Sequence, residues 1–250
     1  MSLRLEKHGA IAHLLIDRSA KRNAFNQAMW EQLPALVADA MGDDSVRVLL
    51  LQSAEPGVFC AGADIGEMLA NTGNPVWGRG NQAAIFRAQY ELTRAAKPTI
   101  AFVDGDCVGG GCGLAIACDI RVATPRSRFG ITPANLGLVY PLHDTKLLVD
   151  LVGPGQAKRM LYSAQLLTAV EALRIGLIEE LADCADELGQ LIAGKSPYSA
   201  KGTKQFIRRI LDGQADDDAD TRATFSASFS GPDFAEGTSA FVQKRKPSFK

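Results

Sequence analysis

The sequence predicts an α/β fold, because a buried strand, a glycine-rich loop and a helix follow one another in that order twice. Residues 46–51 (VRVLLL) and 99–103 (TIAFV) are near-continuous apolar runs, which are typical of strands covered on both faces. The chain has 250 residues, which is enough for one or two domains. Folding at this length hides roughly 70% of the unfolded surface, so a large core forms without metal or disulfide cross-links.

The N-terminal part of the chain predicts a β-hairpin followed by a helix. Residues 3–16 alternate apolar and polar side chains around a turn at Gly9, as hairpin strands do. A helix is expected to begin near Gln27, and Pro34 inside it makes its regularity less certain. The apolar residues spaced for one face of this helix are Trp30, Leu33, Val37 and Ala40.

The rest of the chain predicts glycine loops and a helical tail. Residues 71–80 (NTGNPVWGRG) are expected to form a mobile loop before a helix over residues 81–95. A glycine segment at 109–113 follows the second strand, and a buried helix is expected over residues 114–118. The tail from residue 154 onward, about a third of the chain, has mostly helical character and suggests a separate small lobe.

Charge and cysteine content argue against several classes of protein. Lysine and arginine total 27 against 28 for aspartate and glutamate, and a net charge of −1 argues against nucleic acid as a partner. The five cysteines form no CxxC pair and the chain has three histidines, so we expect no metal site and no disulfide framework. The cysteines are instead expected to be small buried thiols in a reducing compartment.

Targeting signals are not evident in the sequence. The opening MSLRLEKHGA lacks the apolar stretch of a secretory signal, and no run of about 18 apolar residues predicts a membrane span. We therefore expect a cytoplasmic protein without a membrane partner.

The glycine segment at 109–113 admits several interpretations. The order GGGCG does not fit the dinucleotide fingerprint G-x-G-x-x-G, and no Gly-Lys-Ser/Thr ending indicates a phosphate-binding P-loop. A tight turn between closely packed backbones remains open. A backbone anion hole also remains open, because the helix that begins there leaves unpaired N–H groups at its positive end. A second donor would come from the segment Ala61-Gly62-Ala63-Asp64.

Several segments together strongly resemble the enoyl-CoA hydratase/isomerase (crotonase) superfamily. The resemblance includes FCAGADI at 59–65, KPTIA at 97–101, GGGCGLA at 109–115 and Cys118-Asp119, and it extends from KRNA at 21–24 to FVQKRKP at 241–247. The resemblance implies a spiral of ββα turns over residues 1–190 and a helical C-terminal trimerisation lobe over residues 191–250. It also implies an acyl-CoA substrate, a homotrimer or hexamer, and no cofactor apart from the coenzyme A carried by the substrate.

The same resemblance assigns roles to particular residues. The oxyanion donors fall on the backbone N–H groups of Ala63 and Gly110, and losing one such donor typically costs about 3–4 kcal/mol of transition-state stabilisation. Residues of the chain's own coenzyme A path are Lys21, Ala24, Ala61, Gly62, Asp64, Ile65 and Gly109. A neighbouring subunit would add Phe241 and Lys244 from the last helix.

The sequence departs from the family at both catalytic glutamates. Gly113 stands at the first position and Pro133 at the second, and neither residue has a side chain that transfers a proton. General acid–base catalysis is typically worth 10²–10⁴-fold, so ordinary hydration is doubtful.

The segment TPANLGLVY at 132–140 resembles the methylmalonyl-CoA decarboxylase branch of the family. Loss of CO₂ itself generates the enolate, so Tyr140 would orient the carboxylate or donate a proton, and Thr132 would hydrogen-bond the substrate. A histidine expected in that branch is replaced by Ala63. A structural role for Tyr140, as a buried ring that holds a loop, is an alternative. Asp144 is expected to be the N-cap of a helix beginning at Thr145, and a catalytic carboxylate is the other interpretation.

Three functions therefore remain open at the level of sequence. The first is an enzyme that processes an acyl-CoA thioester, as a lyase or isomerase, through an enolate bound by an oxyanion hole. The second is a decarboxylase of a malonyl- or methylmalonyl-type thioester. The third is an acyl-CoA-binding protein that has lost the chemistry.

Overall fold

The computed structural model describes residues 2–249 and confirms the α/β fold class. The strands in this part of the chain are β1 (Leu3–His8), β2 (Ile11–Ile16), β3 (Val48–Ser53), β4 (Val58–Cys60), β5 (Thr99–Val103), β6 (Asp106–Val108), β7 (Ile120–Ala123), β8 (Arg128–Gly130), β9 (Leu167–Thr168) and β10 (Glu180–Leu181). The helices are α1 (Gln27–Gly42), α2 (Ile65–Ala70), α3 (Pro75–Thr93), α4 (Gly110–Ala117), α5 (Leu142–Ser163), α6 (Ala169–Arg174), α7 (Asp186–Ala193), α8 (Pro197–Leu211), α9 (Ala219–Ser228) and α10 (Pro232–Val242).

Two sheets share the strands. The larger sheet has the order β1-β2-β3-β5-β7-β10, with β1 and β2 antiparallel and the remaining pairs parallel. The smaller sheet has the order β4-β6-β8-β9, with β8 and β9 antiparallel. Three successive turns therefore place one strand in each sheet before the next helix, as β3-β4-α2, β5-β6-α4 and β7-β8-α5. This is the ββα spiral that the resemblance implies, and the second strand of each turn is the short one that the sequence patterns missed.

The core lies between the large sheet, the small sheet and the helices α1, α3 and α4. The predicted face of α1 is buried, with Trp30 1% and Leu33 0% exposed, so the amphipathic spacing is confirmed and Pro34 does not end the helix. Helix α4 is buried along nearly its whole length because it runs between the two sheets. It begins at Gly110, four residues before the predicted start, and this places its first turn beside the glycine loop.

The predicted loop at 71–80 is wrong for most of its length. Helix α3 begins at Pro75, because the Asn74 side chain accepts hydrogen bonds from the amides of Val76 and Trp77 and proline fits the first helical position. The glycines within the segment, Gly78 and Gly80, are accommodated inside the helix.

The C-terminal part is helical, as predicted, and it exposes aromatic side chains. Helix α5 has a kink at Gly153, whose φ is 73°. Phe225 in α9 and Phe241 in α10 are 62% and 84% exposed, and Phe229, which directly follows α9, is 56% exposed. The division into a core ending at residue 190 and a trimerisation lobe stays a prediction.

Candidate active site

Two glycine turns bring the amides of Ala63 and Gly110 close together. Gly62 follows β4 with a φ of 99°, and Gly109 follows β6 with a φ of 56°, a backbone region that glycine adopts without strain. A Cβ atom on Gly62 would lie 3.3 Å from the amide nitrogen of Gly110, and one on Gly110 would lie 3.7 Å from that of Ala63. The two turns are therefore too close together to leave room for a side chain at Gly62.

A second loop fixes the orientation of the Ala63 amide. The amide of Phe25 donates to the carbonyl of Gly62 at 2.7 Å, and the amide of Asp64 donates to the carbonyl of Phe25 at 2.8 Å. Because successive peptide groups of an extended chain point in opposite directions, the Ala63 N–H points away from Phe25.

Both candidate donors are unpartnered. Neither the Ala63 amide nor the Gly110 amide donates a hydrogen bond to any group within residues 2–249. Gly110 is the first residue of α4, where helical N–H groups have no intrahelical acceptor and the helix dipole is positive. Two N–H groups held this way can stabilise an oxygen that develops negative charge.

Buried side chains support this pair of amides. The Trp30 ring lies against Gly110, where a Cβ atom would be 3.2 Å from the indole carbon Cζ2. The Trp30 indole N–H is buried and has no partner among the described residues. The Cys60 thiol donates to the carbonyl of Asn23 at 3.0 Å, and burial raises its pKa to about 12, so it is a packing group rather than a nucleophile.

The position of the first family glutamate is surrounded by polar side chains. A Cβ atom on Gly113 would overlap the side-chain amide of Gln89 and lie 2.9 Å from the phenol oxygen of Tyr140. That phenol oxygen is buried and has no hydrogen-bond partner within residues 2–249. An unsatisfied buried hydroxyl typically lowers the free energy of unfolding by about 1–3 kcal/mol. The free hydroxyl of Tyr140 at the first turn of α4 therefore reduces the stability of the protein.

Asp144 is the buried carboxyl group of this region. It is 2% exposed and lies in the first turn of α5, which begins at Leu142 after Pro141. The prediction that Asp144 caps a helix starting at Thr145 is therefore wrong, because the helix starts three residues earlier and turns Asp144 inward.

Two neighbours hold the Asp144 carboxyl. Its Oδ1 lies 3.1 Å from Nδ1 of His143, and the side-chain amide of Gln89 donates to it from α3. Burial raises the pKa of Asp144, while the hydrogen bonds to His143 and Gln89 act in the opposite direction. The ring of His143 also packs edge-on against Phe86, with 5.5 Å between ring centroids.

The structure places most predicted coenzyme A residues around the same turns. Ala61 donates its amide to the carbonyl of Arg22 at 3.0 Å, which brings the 61–65 segment beside the 21–24 loop. Asp64 caps α2 through the amide of Glu67 and pairs with Arg18 at 2.8 Å, and the hydrogen bond from Arg18 lowers the pKa of Asp64. The side chain of Ile65 is 43% exposed.

Thr132 also lies at the site, whereas two of the predicted residues lie elsewhere. The Thr132 hydroxyl is 3.9 Å from the position of a Cβ atom on Gly109. Phe241 and Lys244, by contrast, lie at the exposed end of α10, and within one chain they do not join the other site residues. Their predicted role in a neighbouring subunit stays a prediction.

Gln89 is a functional candidate that sequence reasoning missed, and Asp144 is one that it interpreted as a helix cap. Gln89 reads as one more residue of an amphipathic helix, and Asp144 has the spacing of a capping residue. The signal that was available is the pair of adjacent ionisable residues His143-Asp144 only three residues beyond Tyr140.

The expectation of buried thiols holds for most of the cysteines. Four cysteines are buried, but Cys184 is exposed, because it lies in the short segment between β10 and α7. Within residues 2–249, no group of three His, Cys, Asp or Glu side chains could hold a metal ion, and no helix has the length and apolar character to cross a membrane.

Comparisons with known proteins identify a family over nearly the whole chain. Residues 6–250 match the family model described as enoyl-CoA hydratase/isomerase. A short-chain-enoyl-CoA hydratase of Clostridium acetobutylicum is 36% identical, over 97% of this chain and 95% of that protein. A crotonyl-CoA hydratase of Syntrophomonas wolfei is 33% identical, over 98% and 96%. The crystal structure of a protein of the same family from Hyphomonas neptunium is 36% identical with a TM-score of 0.96, covering 100% of this chain and 98% of that one.

Proposed function

Because the chain belongs to the enoyl-CoA hydratase/isomerase family, we propose that it is an enzyme that polarises the carbonyl of an acyl-CoA thioester and processes it through an enolate. The observation that carries the proposal is the pair of unpartnered amides of Ala63 and Gly110 at converging glycine turns. Two such N–H groups are fixed by the fold before the substrate binds, so their stabilisation of the enolate oxygen needs no rearrangement. Coenzyme A enters as part of the substrate, and no separate cofactor is required for this chemistry.

The proposed reaction differs from ordinary hydration. The relatives named above are hydratases, but here Gly113 and Pro133 stand where the resemblance places glutamates. Without those carboxyl groups, addition of water to a double bond loses two acid–base groups worth about 10²–10⁴-fold each. We therefore favour lyase or isomerase chemistry in which the enolate oxygen is stabilised and a different group handles the proton.

The first experiment measures carbonyl polarisation directly. When 2,4-hexadienoyl-CoA binds, hydrogen bonds from the Ala63 and Gly110 amides should draw electron density to the thioester oxygen and shift the absorption of the conjugated chain to longer wavelength. An ultraviolet difference spectrum tests this without any turnover. Absence of both binding and shift would contradict the proposal.

The second experiment identifies the reaction. The protein is incubated with crotonyl-, 3-enoyl-, malonyl- and methylmalonyl-CoA, and products are followed by mass. Turnover of only the carboxylated thioesters selects decarboxylation, which the unpartnered phenol of Tyr140 at Gly113 favours as the second candidate. A red shift with no turnover of any thioester selects an acyl-CoA-binding protein.

We also propose that the chain assembles as a trimer or a dimer of trimers through α8–α10. The exposed aromatic residues of α9 and α10 support this, because side chains such as Phe225 and Phe241 are costly to leave in water and are typical of protein contacts. Sedimentation equilibrium should give a mass that is a multiple of three times the 26.7 kDa chain. A monomeric mass at micromolar concentration would contradict this assembly.

A further inference from the structure

The two groups attached to a thioester carbonyl carbon leave the oxyanion amides in different directions. The sulfur side leads to coenzyme A, whose predicted residues lie together in the 21–24 loop and the 61–65 segment. The acyl side then faces the other neighbour of the amides, which is the first turn of α4 after Gly110. Gly113 lies one helical turn beyond Gly110, so the acyl chain would extend into the space beside Gly113.

Two side chains already fill the space beside Gly113. The position of a Cβ atom on Gly113 overlaps the side-chain amide of Gln89 and is 2.9 Å from the phenol oxygen of Tyr140. Gln89 is 1% exposed, and the phenol oxygen is buried. The missing side chain of Gly113 therefore makes room for these two groups rather than for a longer ligand.

Contacts between α3 and α5 hold Gln89 in this position. Its side-chain amide donates to the carboxylate of Asp144, which is 2% exposed in the first turn of α5. The rings of Phe86 and Tyr90 on α3 lie 5.5 Å apart, and both pack against the ring of His143. A ligand that displaces the Gln89 amide therefore has to break its hydrogen bond to the neighbouring helix.

The groups that close this side of the site are polar. Gln89, Tyr140 and Asp144 present an amide, a hydroxyl and a carboxyl group, whereas a methylene group gains free energy when it is buried against apolar atoms. Displacement of Gln89 would also leave the Asp144 carboxyl with His143 as its one partner among the described residues. Loss of a hydrogen bond to a buried polar group is unfavourable. Each further methylene group of a long acyl chain would therefore weaken binding at this point.

We propose that Gln89, held by Asp144, limits the length of the acyl chain that the protein accepts. The inference rests on the proposed function, because it needs a thioester held at the amides of Ala63 and Gly110. One helical turn along α4 is about 5 Å, which an acyl group of about six carbons spans. The substrate class is therefore the acyl-CoA thioesters of up to about that length.

The surface on the far side of Gln89 is apolar. The rings of Phe86 and Tyr90, which lie on the same helix, are 52% and 38% exposed. Truncation of Gln89 would open the space between α3 and α5 towards these rings. A longer acyl chain would then gain apolar contacts that the wild type does not offer.

The test compares the dissociation constants of butyryl-, hexanoyl-, octanoyl- and decanoyl-CoA by isothermal titration calorimetry. The wild type should bind octanoyl-CoA about 10-fold more weakly than hexanoyl-CoA, the usual scale for forcing extra methylene groups into a filled space. Gln89→Ala should bind octanoyl-CoA more tightly than hexanoyl-CoA, by about 4-fold for each methylene group that enters the opened space. Such a gain in affinity does not arise from a misfolded protein.

Two further variants sharpen the test. Gln82→Ala is the matched control, because Gln82 lies exposed on the same helix, and it should keep the wild-type dependence on chain length. Gln89→Asn keeps the amide but is one methylene group shorter, so its affinity for octanoyl-CoA should lie between those of the wild type and Gln89→Ala. The red shift of 2,4-hexadienoyl-CoA should be unchanged in all three variants, because the amides of Ala63 and Gly110 are untouched.

The outcomes distinguish the length limit from the function beneath it. A wild type that binds octanoyl-CoA more tightly than hexanoyl-CoA overturns the limit and leaves the polarising site intact. Gln89→Ala with the red shift and the wild-type dependence on chain length overturns the role of Gln89. If Gln89→Ala loses the red shift, the Gln89→Asn variant decides in the same way. A wild type that neither binds a thioester nor shifts its spectrum overturns both the proposed function and the limit.

Discussion

The two ends of the candidate site differ in what they are made of. At one end, the donors are backbone amides of Ala63 and Gly110, fixed by glycine turns after β4 and β6. At the other end, the groups are side chains of Gln89, Tyr140 and Asp144, which come from α3, the loop before α5, and α5 itself.

This difference explains why a family can keep one end and change the other. A backbone amide is unaffected by most side-chain substitutions, so the oxyanion end depends chiefly on where glycine is allowed. The proton end depends on which side chains reach Gly113, and that set changes with any residue of three separate elements. The comparison predicts that polarisation and proton transfer can be disrupted independently.

The largest effect is expected from Gly62→Ala at the oxyanion end. The added Cβ atom would lie 3.0 Å from the Val108 carbonyl oxygen and 3.3 Å from the Gly110 amide, at a φ of 99° that alanine rarely adopts. We expect the Gly110 amide to be displaced and the turnover rate to fall by about 10²–10³-fold, the usual loss for one oxyanion donor. Steady-state kinetics and the 2,4-hexadienoyl-CoA spectrum measure this, and the red shift should disappear.

The matched control is Gly78→Ala inside α3, where a Cβ atom meets nothing within 4 Å. Removal of a helical glycine reduces the entropy of the unfolded chain, so this variant should be as stable as the wild type or more so. Full activity and an intact red shift in Gly62→Ala would contradict the assignment of this turn.

A smaller effect is expected from Gly113→Ala at the proton end. The added methyl group overlaps the Gln89 amide and comes within 2.9 Å of the Tyr140 oxygen, and both are ends of side chains that can move aside. We expect α-proton exchange to fall by about 10-fold, which is less than the ~10²–10⁴-fold loss for removing an acid–base group, because here the side chains are displaced and not removed. Deuterium uptake at the α-carbon of butyryl-CoA in D₂O measures this exchange. The red shift of the dienoyl thioester should persist, because the amides of Ala63 and Gly110 are untouched. Loss of the red shift together with exchange would mean that the two ends are coupled.

Much of the fold could be predicted from local patterns. The two long apolar strands and the helix with Trp30 and Leu33 on its buried face are legible because their periodicity matches their burial. The short strands β4 and β6 were not predicted, because three residues are too few to show a periodic pattern. The start of α3 was not predicted, because two glycines in the segment were given more weight than the Asn-Pro capping signal.

The candidate site could also be predicted only in part. The amide positions followed from the resemblance at residues 59–65 and 109–115, which are contiguous and rich in glycine. The Gln89 and Asp144 pair lies 55 positions apart and meets only in the folded chain. No spacing rule identifies such a pair from the sequence.

The smallest effect expected is on stability, and it tests the burial of Asp144 without any substrate. Since burial raises its pKa in the folded state, the folded protein holds this proton more tightly than the unfolded chain, whose aspartates titrate near ~3.9. The stability from this proton is present below that value and is lost as pH rises through the folded-state pKa. Asp144→Asn has no such loss. Its Tm should therefore rise relative to that of the wild type as pH increases from 4 to 8, by roughly 2–4 °C for each kcal/mol of stability that the wild type loses.

The same comparison with Asp150→Asn isolates the cause. Asp150 is an exposed partner of Lys146 on the same helix, so its removal should not give a Tm difference that grows in favour of the variant as pH rises. Differential scanning calorimetry at several pH values gives both curves. If the wild type and Asp144→Asn run parallel from pH 4 to pH 8, then Asp144 does not hold its proton more tightly in the folded state. The carboxyl would then be an ordinary ionised group kept in place by His143 and Gln89.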